Sequence, residues 1–373
     1  MTGENGMSRI RKSPALLAAL ALLALSACGS ETAKSEGKVV LTVPSWAGGE
    51  ANVAVARYLL EEELNYEVSE RKLDERDAWE ALHTGKAHAM LEDWGHQDLR
   101  REYVHDKSTV VSAGSMGING KIGWYVPTYL AEKHPEVTDW RKLNANSHLF
   151  APGGKDEKPG SGDGGPSDTG HDTGGSGDSG GSGDSEGTGG EKGAGPSDGN
   201  DTTDSAAGKG SGATGQLLEG SRKFLTHDEA LLKNLDLNFT TVYTGSEDAQ
   251  LKEIRKRAKK REPFLTYWWR PHWVEAEVEL TEVRLPSHYG GCDENKKKVD
   301  CGYPETKLEK YLNRDFSKDG GKAATLLRNF QWSADDQNSV AKRMTEDGLS
   351  PREAAKEWVE KNKGVWKVWL WGT

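Results

Sequence analysis

The stretch that decides the fold is Val39-Val40-Leu41-Thr42-Val43-Pro44-Ser45-Trp46-Ala47-Gly48-Gly49-Glu50. Its first five residues are apolar or β-branched and read as a buried strand, which Pro44 ends. Residues 45–50 form a turn. Residues 51–64 then place Val53, Ala56, Leu59, Leu60 and Leu64 at helical spacing. Tyr66-Glu67-Val68 restarts a strand, 77–84 reads as a second helix stopped by Gly85, and 87–91 is a third strand running into Glu92-Asp93-Trp94. Strands alternating with helices predict an α/β fold with a parallel sheet and right-handed crossovers. Ligands of such sheets bind beyond the carboxyl ends of the strands. Trp46 and Trp94 each follow a strand's carboxyl end and are expected at one edge of the sheet.

The alternation continues further along. Residues 219–235 read as a helix with Phe224, Leu225, Leu231, Leu232 and Leu235 apolar, and 239–243 as a strand. Gly245-Ser246-Glu247 caps a helix running through Leu251 and Ile254. Phe264-Leu265-Thr266-Tyr267-Trp268 is a further strand, and aromatics again follow it in Trp269-Arg270-Pro271-His272-Trp273. Beyond this the chain is mainly helical, with helices predicted over 323–330, 335–346 and 351–362. Pro351 suits a first helical turn.

Between these two regions the composition changes. Residues 153–214 are almost entirely Gly, Ser, Asp, Thr and Pro, and from 155 to 214 twelve acids face four lysines. With so little apolar surface to bury, the segment is expected to be disordered. A surface loop tolerates such an insertion because closure entropy grows slowly with length; a linker between two domains is the other reading. The formal charge of −10 is concentrated there. The body is close to neutral, which argues against a nucleic-acid partner.

The beginning of the chain predicts its location. Arg9, Arg11 and Lys12 precede an Ala/Leu run too short to span a bilayer, and Leu25-Ser26-Ala27-Cys28 ends it. This is the pattern of a bacterial lipobox, with Cys28 lipidated and the protein held at the outer face of a membrane. Cys292 and Cys301 remain. Outside the cytoplasm they are best read as a local disulfide. Free thiols are the alternative, and two cysteines alone lack the further ligands of a zinc site.

Thirteen tryptophans stand out. Trp79, Trp140, Trp332, Trp358, Trp366, Trp369 and Trp371 lie in helical or C-terminal stretches and read as packing. Trp46, Trp94, Trp124, Trp269 and Trp273 lie at strand ends or turns. Aromatics converging on a cleft can hold a quaternary ammonium group by cation–π attraction, each face contributing roughly 0.5–2 kcal/mol; stacking on a sugar is an alternative. No Gly-x-Ser-x-Gly elbow stands between a predicted strand and helix, no His-Glu-x-x-His or zinc cysteine set appears, and no cofactor or metal motif. A hydrolase using Glu92 or Asp93, or a surface adhesion protein, is the less favoured reading.

The motifs resemble those of the glycine betaine/choline-type solute-binding proteins of ABC transporters. The matching stretches are the opening strand and its Ser-Trp-Ala turn, Trp79-Glu80-Ala81-Leu82-His83-Thr84-Gly85, Glu92-Asp93-Trp94, and Ile122-Gly123-Trp124-Tyr125-Val126-Pro127. Thr244-Gly245-Ser246-Glu247 follows, then Tyr267-Trp268-Trp269-Arg270-Pro271-His272-Trp273, which is the most specific, and Cys292 with Cys301-Gly302-Tyr303-Pro304. Matches on both sides of the insertion favour one interrupted fold over two linked domains. The resemblance implies a two-lobed, type II periplasmic-binding-protein fold with two crossings. Lobe one would hold 38–125 and 245–373, and lobe two 126–244. It implies a monomer that hands its ligand to an ABC permease. It also implies a cage of Trp46, Trp94 and Trp269, with Trp124 next. A ligand carboxylate would meet the N–H groups of Gly48 and Gly49 and the His272 side chain; choline, carnitine, proline betaine and ectoine are alternative ligands. One departure is that Phe150-Ala151-Pro152-Gly153 runs straight into the insertion, where many relatives have a ligand contact.

Overall fold

A computed structural model of the chain describes residue 3, residues 35–154 and residues 213–373. The lipidation expected at Cys28 and the disorder expected of the low-complexity insertion lie outside the described residues, apart from the insertion's first and last two positions. The described residues form two compact units, one from those up to 118 together with 307–373 and one from those between 119 and 306.

The first unit opens with β1 (Lys38–Val43), α1 (Ala47–Glu62), β2 (Glu67–Lys72), α2 (Glu75–His83) and β3 (Ala89–Asp93). β1 pairs in parallel with β2, Val39 opposite Val68, and with β3, Leu41 opposite Ala89. Parallel neighbours end at the same edge, so Trp46 and Trp94 leave the sheet on one side, as the strand order predicts. The chain leaves this unit within β4 (Val110–Pro127) and returns within β9 (Glu305–Asn313), which lies antiparallel to β3. The helices Ala334–Thr345 and Pro351–Lys361 then pack on α1. Both begin with a capping box, Ser333 with Asp336 and Ser350 with Glu353, satisfying two N–H groups that the first turn leaves unpaired.

β9 has no counterpart among the strands expected from the sequence. Its polar run Glu-Thr-Lys-Leu-Glu-Lys-Tyr-Leu-Asn hides a buried strand because Lys310 is itself buried, its ammonium donating to the carbonyls of Arg328 and Phe330. Burial pushes that ammonium down to about 7.

In the second unit the later half of β4 pairs antiparallel with β7 (Leu265–Arg270), Tyr125 opposite Thr266. β7 is parallel to β5 (Gly215–Glu219), which is parallel to β6 (Phe239–Tyr243). β8 (Leu280–Glu282) lies along the end of β4. Trp124, Phe150, Leu217, Leu231 and Leu265 share its core. Two expectations are corrected here. Residues 215–219 are a strand, and the helix expected over 219–235 is confined to Asp228–Asn234. Residues 220–227, with a turn at Arg222-Lys223, separate the two, and Glu219 is buried at the end of β5. The return crossing sits at 306/307 rather than 244/245. The helix Glu247–Lys260 and β7 continue the second unit's own parallel winding, so Trp269 and His272 belong to that unit.

Cys292 and Cys301 form a disulfide, 6.1 Å apart at Cα. Among the described residues no helix is long and apolar enough to cross a membrane. Replacing Ser350 by Ala removes the cap of a helix that buttresses α1; we expect a loss of about 1 kcal/mol in chemical denaturation. Unchanged stability would mean that the cap contributes nothing.

Candidate functional site

In the first unit the site is organised by one carboxylate. Glu92 lies on the carboxyl-terminal end of β3 and is buried at 5 % exposure. Its Oε1 accepts the indole N–H groups of Trp46 at 2.6 Å and Trp94 at 2.8 Å. Its Oε2 accepts from Asn52 Nδ2 at 2.6 Å and Gln337 Nε2 at 2.5 Å. Burial raises the carboxyl above the usual carboxylate range, and these four donors offset part of that rise by favouring the ionised form. The Asn52 oxygen in turn accepts from the Trp332 indole at 3.0 Å and from Gln337 at 3.1 Å. The network ties the turn after β1, α1, the end of β3 and the helix Ala334–Thr345 into one rigid mount for two indoles.

The next residue fixes the Trp94 turn from beneath. Asp93 accepts from His96 Nδ1 at 2.7 Å, from the backbone N–H groups of Gly95 and His96, and from the Trp79 indole. His96 Nε2 lies 3.2 Å from Glu75. Burial alone would lower the His96 imidazole, but Glu75 and Asp93 outweigh it and push it up to about 9. Burial would raise Asp93, but the charge of His96 holds it below the usual carboxylate range.

The structure separates the two glycines expected to meet an anion. Both lie in the first turn of α1, where N–H groups have no partner within the helix. A Cβ on Gly49 would fall 2.3 Å from Pro44 Cγ and 2.8 Å from Trp46 Nε1. Glycine at that position is therefore required for the close approach of Trp46 to α1. The Gly48 carbonyl accepts from Gln337 Nε2 at 3.2 Å.

The second unit has its own aromatic element. Tyr267 and Trp269 alternate along β7 with ring centroids 6.1 Å apart, and Phe224 stands 6.0 Å from Trp269 at 85°. Tyr303 meets Tyr267 edge-on and stacks on His227 at 4.1 Å. Its hydroxyl donates to Asp228 Oδ1 at 2.9 Å. Burial pushes the Asp228 and Glu219 carboxyls up, and Asp228 raises Glu219 further, since two like charges cannot both be held in that space. Tyr303 follows Cys301 by two residues, so the disulfide loop positions this ring.

Two expected ligand contacts are corrected. Trp124 is fully buried in the core of the second unit, its indole N–H on Asp228 Oδ1 at 2.7 Å, so it has no face to offer a ligand. His272 is buried and its two ring nitrogens are taken. Nδ1 accepts the Val274 N–H at 3.1 Å, which places the proton on Nε2, and Nε2 donates to Glu247 at 2.7 Å. Both groups serve packing and loop geometry.

Several members of these groups were not singled out from the sequence: Asn52, Gln337, Tyr267, Phe224 and Tyr303. The alternation of β7 puts Tyr267 on the same face as Trp269, a signal present in the residues themselves. Asn52 and Gln337 carried none, being single polar residues on otherwise ordinary helices.

Two outcomes follow from this geometry. The ion-paired His96 stabilises the fold fully below about pH 6.5, its unfolded value, and that contribution is lost as pH rises through about 9. Thermal melts from pH 6 to 10 should fall over this window in the wild-type protein and flatten in His96→Gln; parallel curves would remove His96 as the cause. Gly49→Ala should displace Trp46 and lower the melting temperature by several degrees, and an unshifted melt would show that the turn yields without cost.

Comparison with known proteins agrees with this architecture. Residues 37–169 and 200–361 match the family described as OpuAC, substrate binding domain of ABC-type glycine betaine transport system. A trimethylamine N-oxide-binding protein of Pelagibacter ubique (strain HTCC1062) is 27% identical over 162 residues, 42% of this chain and 51% of the relative. The glycine betaine/carnitine transport binding protein GbuC of Listeria monocytogenes serotype 1/2a (strain 10403S) is 27% identical over 139 residues, 37% of this chain and 42% of the relative. The chain thus spans about half the length of the curated relatives it matches. Two solved structures share the fold. Lactococcal OpuAC complexed with glycine betaine has a TM-score of 0.58 at 17% identity, covering 90% of this chain and 100% of that one. A choline binding protein in complex with choline has a TM-score of 0.61 at 16% identity, covering 90% and 92%. The fold is the two-unit α/β architecture of type II periplasmic binding proteins, its crossings in β4 and β9. With the family's profile matched over most of the chain, on both sides of the low-complexity segment, this protein belongs to the OpuAC family of substrate binding domains of ABC-type glycine betaine transport systems.

Proposed function

We propose that the protein captures glycine betaine, or a related quaternary-ammonium osmolyte, outside the cytoplasm and delivers it to an ABC permease. The observation that carries this reading is the pair of indoles locked to one carboxylate oxygen, Trp46 and Trp94 on Glu92. A trimethylammonium group has full charge and no N–H to donate, so hydrogen-bond acceptors recognise it poorly. Fixed indole faces recognise it by cation–π attraction without paying to order the rings at the moment of binding. Tyr267 and Trp269 give the second unit an aromatic element of the same chemistry. In this reading the orphan N–H groups of Gly48 and Gly49 receive a ligand carboxylate, favoured by the dipole of α1.

The role is binding and release, with no chemical step. Lipidation of Cys28 would keep the protein at the membrane beside its permease. A second reading keeps the site and changes the ligand to choline, which has no carboxylate and makes no use of the α1 turn.

Trp94→Ala and Trp269→Ala should each weaken glycine betaine binding about tenfold or more in calorimetry, roughly 1.4 kcal/mol, within the range of one aromatic face. Unchanged affinity in both would remove these rings from the site. Thermal-shift assays with glycine betaine, choline, carnitine, proline betaine and ectoine rank the ligands, since the tightest binder at a given concentration raises the melting temperature most. A panel with no shift would overturn the quaternary-ammonium reading.

A further inference from the structure

We infer that Glu92 supplies the negative charge that makes the Trp46–Trp94 site prefer a cation over a neutral group of the same shape. The inference rests on the quaternary-ammonium reading above and adds the origin of its selectivity.

The four groups on the Glu92 carboxylate are two indoles and two primary amides. All four donate N–H, and all four are neutral. N–H ends alone suit an ionised carboxylate: with the amides of Asn52 and Gln337 turned nitrogen-first and the two indoles donor-only, a protonated one would turn an O–H toward an N–H. The carboxylate is therefore held as an anion at 5 % exposure, and none of its hydrogen-bond partners carries a positive charge. A buried charge is costly until it is paired. A cation resting on the indole faces supplies the pairing charge through the rings, across a short path of low dielectric where Coulomb attraction is strong.

The indoles take part in the same effect. Each N–H donated to a carboxylate polarises its ring and increases electron density on the face, which is the part a cation meets. A single oxygen, Oε1, does this for both rings. Glu92 thus acts on the ligand through Trp46 and Trp94 and, at longer range, through its own charge. It is a positioning and specificity residue that need not touch the ligand. A neutral isostere with carbon in place of nitrogen fills the same space and gains neither effect.

The test is calorimetry on the full chain with glycine betaine and choline, each alongside the isostere that has carbon in place of nitrogen, a carboxylate anion for the first and a neutral alcohol for the second. Glu92→Gln keeps the volume and removes the charge. It should weaken the better quaternary-ammonium ligand about tenfold or more while weakening its isostere by less than about threefold. Gln337→Lys leaves Glu92 in place and brings a resident ammonium to it. It should lower cation affinity in the same selective way, and it keeps the test open if Glu92→Gln does not fold. Equal weakening of ligand and isostere in the folded variants would show that Glu92 only holds the rings in place, and the inference falls. If the wild-type protein binds neither cation, the functional reading falls first, and this inference with it.

Discussion

A buried carboxylate accepting two indole N–H groups is the interaction on which the rest of this structure depends. Glu92 fixes the buried ring of Trp46 and the partly buried ring of Trp94. The requirement propagates outward. Gly49 must lack a side chain so that Trp46 can lie against the first turn of α1. Asn52 and Gln337 must donate to the second carboxylate oxygen, and Trp332 must satisfy the oxygen of Asn52. Asp93 and His96 must hold the turn that carries Trp94. A half-satisfied network of this kind is more costly than an apolar core, so its members are best understood as one unit.

The second unit repeats the device with different parts. Asp228 accepts the Trp124 indole and the Tyr303 hydroxyl. Here the indole is sealed in the core and the phenol belongs to the aromatic group around Tyr267 and Trp269. Burial and the neighbouring Asp228 push the carboxyl of a second acid, Glu219, up and so favour its neutral form. In both units a buried carboxylate anchors aromatic rings through their polar edges, as the amphipathic character of Trp and Tyr allows.

Under the proposed function these arrangements share one purpose. Relatives across the fold bear names that include glycine betaine, carnitine, choline and trimethylamine N-oxide. Those small molecules share a methylated nitrogen and little else. A protein that must hold such a group has few chemical options beyond aromatic faces and nearby negative charge, and both occur together around Glu92.

Much of this was legible in the residues alone. The strand-helix alternation from Val39 to Trp94 determined a parallel sheet, and with it that Trp46 and Trp94 share one edge, because side-chain periodicity and strand order are local properties. The spacing and composition around Cys292 and Cys301 pointed to their disulfide for the same reason. What only the tertiary structure decided were the relations between distant segments. Trp124 and Trp269 both follow the same sequence logic and both are buried, yet one packs in the core of its unit and the other in an aromatic group with Phe224 and Tyr267, since a ring's neighbours depend on what packs across a strand. His272 was available as a donor until its fold neighbours took both nitrogens. Gln337 reaches Glu92 from 245 residues away. No local pattern marks such a contact, because a single hydrogen bond between remote side chains leaves no periodicity in the chain; it exists only once the backbone has brought the two together.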